Sequence, residues 1–257
     1  MMGKTFITAI IPFILFIPAG KAGNFTSSGC VDALISGLST RLGDIRILNQ
    51  RPDLPVIITK AESENKDRPF VLLISGDGGW YGFEQSMANH LAHLGIPTVG
   101  INARRYFWNR RTPEETTSDV VNLITYYRKE FGKERYLLIG YSQGAEIVPF
   151  IVNRLPGNIF AGLVSAVLLS PDKDTDFEVH FTNMIGIGNR HNTYQVTKEI
   201  ADIHRVLTLC IFGEKERSPV PGILAGSDAA IAILPGRHHY KGDIARIIET
   251  IKEHKAL

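Results

Sequence analysis

The chain is poor in cysteine and tryptophan, with two of each in 257 residues, and it lacks a dominant charge sign: 28 Lys and Arg face 26 Asp and Glu, for a formal net charge of +2. Near-neutrality excludes a generally nucleic-acid-binding surface, and 44% hydrophobic residues exclude disorder. Electrostatic function must therefore come from local clusters. No metal-ligand spacing and no dinucleotide-binding fingerprint occurs, so no cofactor or metal is expected. Repeats and low-complexity tracts are missing too, which leaves one globular domain with a large core, or at most two small ones.

The N-terminal apolar run FITAIIPFILFI, residues 6–17, falls short of the about 20 residues that span a bilayer. With the basic start MMGK before it and the small residues Ala19, Gly20 and Ala22 after it, residues 1–22 have the form of a secretory signal peptide cleaved after Ala22. An uncleaved anchor is the other reading, and both put the rest of the chain outside the cytoplasm. TSSGC, ending at Cys30, lacks the apolar residue of a lipoprotein site and lies too far past the signal. An exported pair of cysteines could form a disulfide, but Cys210 sits within VLTLCIF, where a cysteine is more often a small buried hydrophobe.

After an N-terminal segment, residues 23–52, in which 31–50 suggest a helix and an edge strand, residues 53–257 alternate short apolar runs with amphipathic stretches. LPVIITK (54–60), FVLLIS (70–75), IPTVGIN (96–102), RYLLIG (135–140), LVSAVLLS (163–170), RVLTLCIFG (205–213) and AAIAILPG (229–236) have the Val/Ile/Leu content and unbroken hydrophobicity of buried strands. Between them, residues 82–95, 113–132, 144–157 and 241–255 are predicted helices. The second carries Thr112 as cap, Pro113 at its first position, two glutamates in its first turn and Gly132 as its stop. This alternation predicts an α/β fold, a mostly parallel sheet with helices on both faces, and chemistry at the C-terminal ends of the strands.

GYSQG, residues 140–144, lies between a predicted strand and a predicted helix. That context makes it a nucleophile elbow, whose glycines permit the tight turn that lifts Ser142 above the sheet. The other reading is that Ser142 caps the helix. A serine nucleophile needs a base late in the chain, and LPGRHHYKGD supplies His238 and His239. His238 is preferred because it stands two residues before an aromatic, with His239 left open. After the preceding strand, the turn EKERS offers Glu216 as the acid that orients the base, with Glu214 as fallback.

The tetrahedral oxyanion of acyl transfer would be held by the Gln143 amide and by one from SGDGGW, residues 75–80, that of Asp77 being preferred. The Asp77 carboxylate has two readings. It shapes the turn or caps the helix near Gly82, or it pairs with a substrate cation, an attraction near 4 Å of about 1 kcal/mol in water and about 4 kcal/mol at a partly buried site. ARRYFWNRR, residues 103–111, packs Arg104, Arg105, Arg110 and Arg111 around Tyr106, Phe107 and Trp108, which suits an amphiphilic anion such as a phospholipid headgroup. The alternative puts those aromatics in the core and the arginines in solvent.

SGDGGW, RYFWNRRTPEETTSDV, GYSQGAEIVPF and LPGRHHYKGD together resemble the VirJ/AcvB family of exported bacterial virulence-associated proteins, from about Pro69 to the end. The resemblance implies a periplasmic protein similar to α/β-hydrolases. It implies hydrolysis of aminoacylated phosphatidylglycerol, particularly the lysyl form, with Ser142 matching the nucleophile and His238 and His239 the histidine pair. Gln143 stands where the family often has a bulky apolar residue, and Arg237 where glycine is usual. The expected partner is an aminoacylated anionic phospholipid at the membrane surface. A general periplasmic esterase or lipase, or a non-catalytic adaptor of a type IV secretion or envelope complex, are the alternatives.

Overall fold

A computed structural model describes residues 52–63, 65–179 and 194–257. The expectations for the signal peptide, for the segment 31–50 and for Cys30 lie outside the described residues. The elements run β1 (Val56–Thr59), β2 (Phe70–Ile74), α1 (Gly82–His93), β3 (Thr98–Ile101), α2 (Ala103–Tyr106) and α3 (Pro113–Phe131). There follow β4 (Tyr136–Tyr141), α4 (Gln143–Arg154), α5 (Gly157–Phe160), β5 (Leu163–Leu169), β6 (Asp174–Thr175), β7 (Tyr194–Gln195) and α6 (Val196–Ala201). Then come β8 (Leu207–Gly213), α7 (Val220–Ile223), β9 (Ala230–Leu234) and α8 (Ile244–Glu253).

Each predicted apolar run supplies one strand of a seven-stranded sheet, ordered β1-β3-β2-β4-β5-β8-β9. Only β1 runs antiparallel to its neighbour; the other pairs are parallel. Central strands read as unbroken hydrophobic runs because both faces are covered. Phe70, Leu72 and Ile74 of β2 point into a core shared with α3 and α4, including Leu123 and Ile151. Val71 and Leu73 point into a second core with α1 and α8, including Leu91 and Ile247. Removing each such side chain from water contributes about 1.5–3 kcal/mol. The sheet edges differ from expectation: β1 is half-buried throughout, and β9 leaves Ile233 exposed, since an edge strand has a neighbour on one side only.

Helix α3 starts and stops as its sequence dictates. The Thr112 hydroxyl accepts from the Glu115 amide at 3.1 Å, and Glu115 accepts from the Thr112 amide at 2.9 Å, a closed capping box. Gly132 ends the helix in the left-handed conformation. The short hairpin of β6 and β7 pairs Asp174 with Gln195 and Thr175 with Tyr194. Its strands are too brief to leave a period in the sequence. Among the described residues, no helix is long and apolar enough to cross a membrane.

Candidate active site

Strand β4 ends at Tyr141 and α4 begins at Gln143, so Ser142 alone makes the turn between them, with φ 52° and ψ −119°. A non-glycine residue there carries strain. The strain is imposed by packing on both sides: a Cβ on Gly144 would lie 2.2 Å from the Ile74 carbonyl oxygen, and one on Gly140 would lie 2.3 Å from that of Gly144. Both glycines of GYSQG are therefore needed for close approach of strand and helix. The Ser142 hydroxyl makes no cap bond to α4, which removes the capping explanation for this serine.

The acid turn follows β8. Glu216 keeps its carboxylate largely out of solvent, at 9% side-chain exposure, and its Oε1 lies 2.8 Å from Nδ1 of His238. Its Oε2 accepts from the Gly213 amide at 2.9 Å. Burial pushes the carboxyl pKa up, but hydrogen bonds from His238, Ser170 and the Gly213 amide outweigh it and leave it below its ordinary value. Gly213 also lets the histidine loop come close, since a Cβ there would lie 2.5 Å from the Arg237 carbonyl oxygen. Glu214 is exposed and joined to the sheet through its amide, which donates to Leu234.

The two adjacent histidines part company. His238 is the one joined to a carboxylate, whereas Nδ1 of His239 lies 2.6 Å from the Tyr141 hydroxyl. That hydroxyl is also 3.3 Å from the His238 carbonyl oxygen, so the residue before the serine ties down the histidine loop. Burial first, then the carboxylates of Glu84, Glu216 and Asp77, hold the Tyr141 pKa well above its usual value. Three carboxylates thus act on one buried hydroxyl, and the field around it is negative.

Ser142, His238, His239 and Asp77 line one cleft of about 430 Å³, together with Glu84 and Tyr141. SGDGGW forms a turn closed by Gly79 N–H to Gly76 O at 2.9 Å. Ser75 joins this loop to its surroundings: its carbonyl accepts from the Gly144 amide at 3.1 Å, and its hydroxyl from the Ala103 amide at 2.9 Å. Among the described residues, the amides of Asp77 and Gln143 donate to no protein acceptor and the Asp77 carboxylate has no hydrogen-bonding partner. The start of α1 is served instead by Glu84, whose carboxylate accepts from the amides of Tyr81 at 3.2 Å and Gly76 at 3.5 Å.

A second hollow of about 420 Å³ adjoins the cleft, with which it shares Gly78, Gly79 and Tyr81, and it contains Arg104, Arg105 and Trp108. Tyr106 departs from the expectation of a substrate-facing ring. It is buried to 4% exposure, and its hydroxyl lies 2.6 Å from Asp119, because α2 turns that position inward onto Phe107. Arg110 is exposed beyond α2 and does not line the hollow. Ser170 and Tyr240 were missed by sequence reasoning. The Ser170 hydroxyl lies 2.5 Å from the Tyr240 hydroxyl, which donates to the Ile211 carbonyl at 2.8 Å, and Ser170 helps hold the Glu216 carboxyl pKa down. They form a buried support behind the acid.

Cys210 is a free, fully buried thiol whose pKa burial pushes up to about 12, so it is an inert core residue. No group of three or more His, Cys, Asp or Glu able to hold a metal ion occurs among the described residues.

The profile of a family described as Bacterial virulence protein (VirJ) matches residues 68–256. Comparison with curated proteins gives no match. Solved structures share the fold. Est1E from Butyrivibrio proteoclasticus, in its ferulic acid complex, is similar at TM-score 0.56 and 13% identity over 78% of this chain and 93% of that one. A lipase-esterase related protein from Clostridium acetobutylicum is similar at TM-score 0.56 and 16% identity, over 78% and 99%. A proline iminopeptidase from Mycobacterium smegmatis gives 0.53 and 15%, over 77% and 94%. The architecture is that of the α/β-hydrolases.

Proposed function

This chain belongs to the VirJ family of bacterial virulence proteins, and from that membership and the geometry of its cleft we propose that it is an exported serine hydrolase that cleaves the aminoacyl ester of lysyl-phosphatidylglycerol or a related aminoacylated phospholipid. The observation that carries the reading is that His238, which lines the same cleft as Ser142, is held by Glu216 at 2.8 Å. A serine on a strained turn, a histidine and a buried acid in the order Ser, Glu, His along the chain are the parts that acyl transfer requires.

In the proposed reaction, His238 takes the Ser142 proton as Oγ attacks the ester carbonyl. Glu216 holds the imidazole orientation and stabilises its charged form. The oxyanion is met by the amides of Gln143 and Asp77; each such donor contributes about 3–4 kcal/mol to transition-state stabilisation. The tetrahedral intermediate collapses, His238 returns the proton to the departing glycerol oxygen of phosphatidylglycerol, and water repeats the sequence to release the amino acid.

The substrate class is supported by charge placement. The cleft is lined by Asp77, whose carboxylate has no hydrogen-bonding partner, and by Glu84, while the adjoining hollow carries Arg104 and Arg105. An ammonium suits the first and a phosphodiester the second. The test is incubation of purified protein with lysyl and alanyl lipids and with neutral esters, measuring released amino acid or alcohol. Lysine release by the parent, and its loss with Ser142→Ala, are expected. Wild-type release by Ser142→Ala rejects the mechanism, and equal rates on simple neutral esters reduce the protein to a general esterase.

A further inference from the structure

Most large apolar side chains of the described residues are covered, but Tyr81 is 62% and Trp108 56% exposed. Single exposed aromatics are ordinary. These two line the same hollow, which adjoins the cleft of Ser142, together with Arg104 and Arg105. The Arg104 guanidinium reaches the Tyr81 hydroxyl at 3.4 Å, so the aromatic tip and the cation form one unit. Tyr81 also lines the cleft that holds Ser142. We propose that Tyr81 and Trp108, with Arg104 and Arg105, form a docking surface for an anionic phospholipid bilayer, which turns the mouth of the catalytic cleft toward the lipid headgroups.

The chemistry selects a bilayer. Tyr and Trp have apolar bodies with polar tips and partition to the headgroup level of membranes. Arginine beside them supplies attraction to an anionic surface. A protein partner of ordinary affinity would want a larger apolar centre than two rings. The surface extends the hydrolase reading, since an ester carried on a headgroup is reached only by a cleft that opens at the lipid plane. The other exposed large apolar residues, Ile223 and Ile233, line neither hollow nor cleft and serve as internal controls.

The experiment uses the full chain carrying Ser142→Ala, mixed with vesicles of phosphatidylcholine containing increasing phosphatidylglycerol, and with the same vesicles carrying brominated chains. The expected result is a blue shift and bromine quenching of tryptophan emission that fall sharply when Trp108→Phe is added, the remainder coming from the half-buried Trp80 of the same hollow. Arg104→Gln with Arg105→Gln weakens binding to the anionic vesicles by about 25-fold, or about fivefold per arginine. Tyr81→Ala weakens it as well, while Ile223→Ala with Ile233→Ala does not.

Quenching undiminished by Trp108→Phe, or an arginine double variant that binds as its parent does, overturns the proposal. So does an equal loss in the isoleucine control. Lysine release from detergent micelles by the Ser142 form without Trp108 quenching on vesicles leaves the hydrolase reading standing and removes the docking surface. Quenching without release of any amino acid does the reverse.

Discussion

Glu216 is held by hydrogen bonds with His238 and the Gly213 amide against the cost of its burial, so its charge is the pivot of the site. Glu216→Gln preserves the shape but removes the anion that steadies the charged imidazole, and a loss of about 10³–10⁴-fold in hydrolysis is expected, against near-parent rates for Glu214→Gln. Because the folded carboxyl titrates below its ordinary value, its contribution to stability is complete above about 4.3 and fades as the pH falls below that. Thermal melts of the parent should therefore lose stability in that acidic range more steeply than melts of Glu216→Gln. Asp77 makes a different demand. Asp77 lines the cleft and its carboxylate has no hydrogen-bonding partner, so Asp77→Asn should cost about tenfold more kcat/KM on lysyl than on alanyl lipid, a difference of about 1.4 kcal/mol; equal losses show that Asp77 does not read the ammonium of the lysyl side chain. The strand ends and loops that carry the candidates Ser142, His238 and Glu216 were legible because chain order fixes where such groups fall. Ser170, Tyr141 and Glu84 were not, because each acts through a partner that only the fold brings near: Ser170 on Glu216, Tyr141 on His239, Glu84 on Gly76.

At the level of elements, the turn from β4 into α4 stores strain in one residue. Replacing alanine with glycine in an ordinary conformation costs about 0.5–1 kcal/mol, whereas a side chain held in a sparsely populated region costs about 1–3 kcal/mol. At position 142 the second term exceeds the first. Ser142→Gly should thus melt above Ser142→Ala by about 2–4 °C, a reversal of the usual order, and calorimetry on the two inactive variants checks it; a lower melt for glycine means that the turn is relaxed. The strands of the sheet were visible in the sequence because burial on both faces writes continuous Val, Ile and Leu into them. The edge strands β1 and β9 look the same in sequence, yet they are half-buried, since hydrophobicity does not record how many neighbours a strand has. Helix α2 was hidden inside ARRYFWNRR: its single turn is too short for a period, and it is the reason Tyr106 faces the core while Arg104 and Arg105 face the hollow.

Across the whole molecule, a net charge of +2 conceals a separation of sign, with carboxylates around the cleft and arginines beside it. Salt acts on the two in different ways. The screening length is about 10 Å at 0.1 M and about 3 Å at 1 M, so attraction between exposed arginines and an anionic lipid surface weakens across that range. The proposed contact of about 4 Å between Asp77 and a substrate ammonium would leave little intervening water and be screened far less. Raising sodium chloride from about 0.1 to about 1 M should therefore lower kcat/KM on lipid in anionic vesicles several-fold while the ratio of lysyl to alanyl turnover changes by less than about twofold. The two quantities come from one titration on one preparation, with released amino acid as the readout. A ratio that collapses in step with the rate assigns headgroup selection to the long-range field of the molecule and takes it away from Asp77.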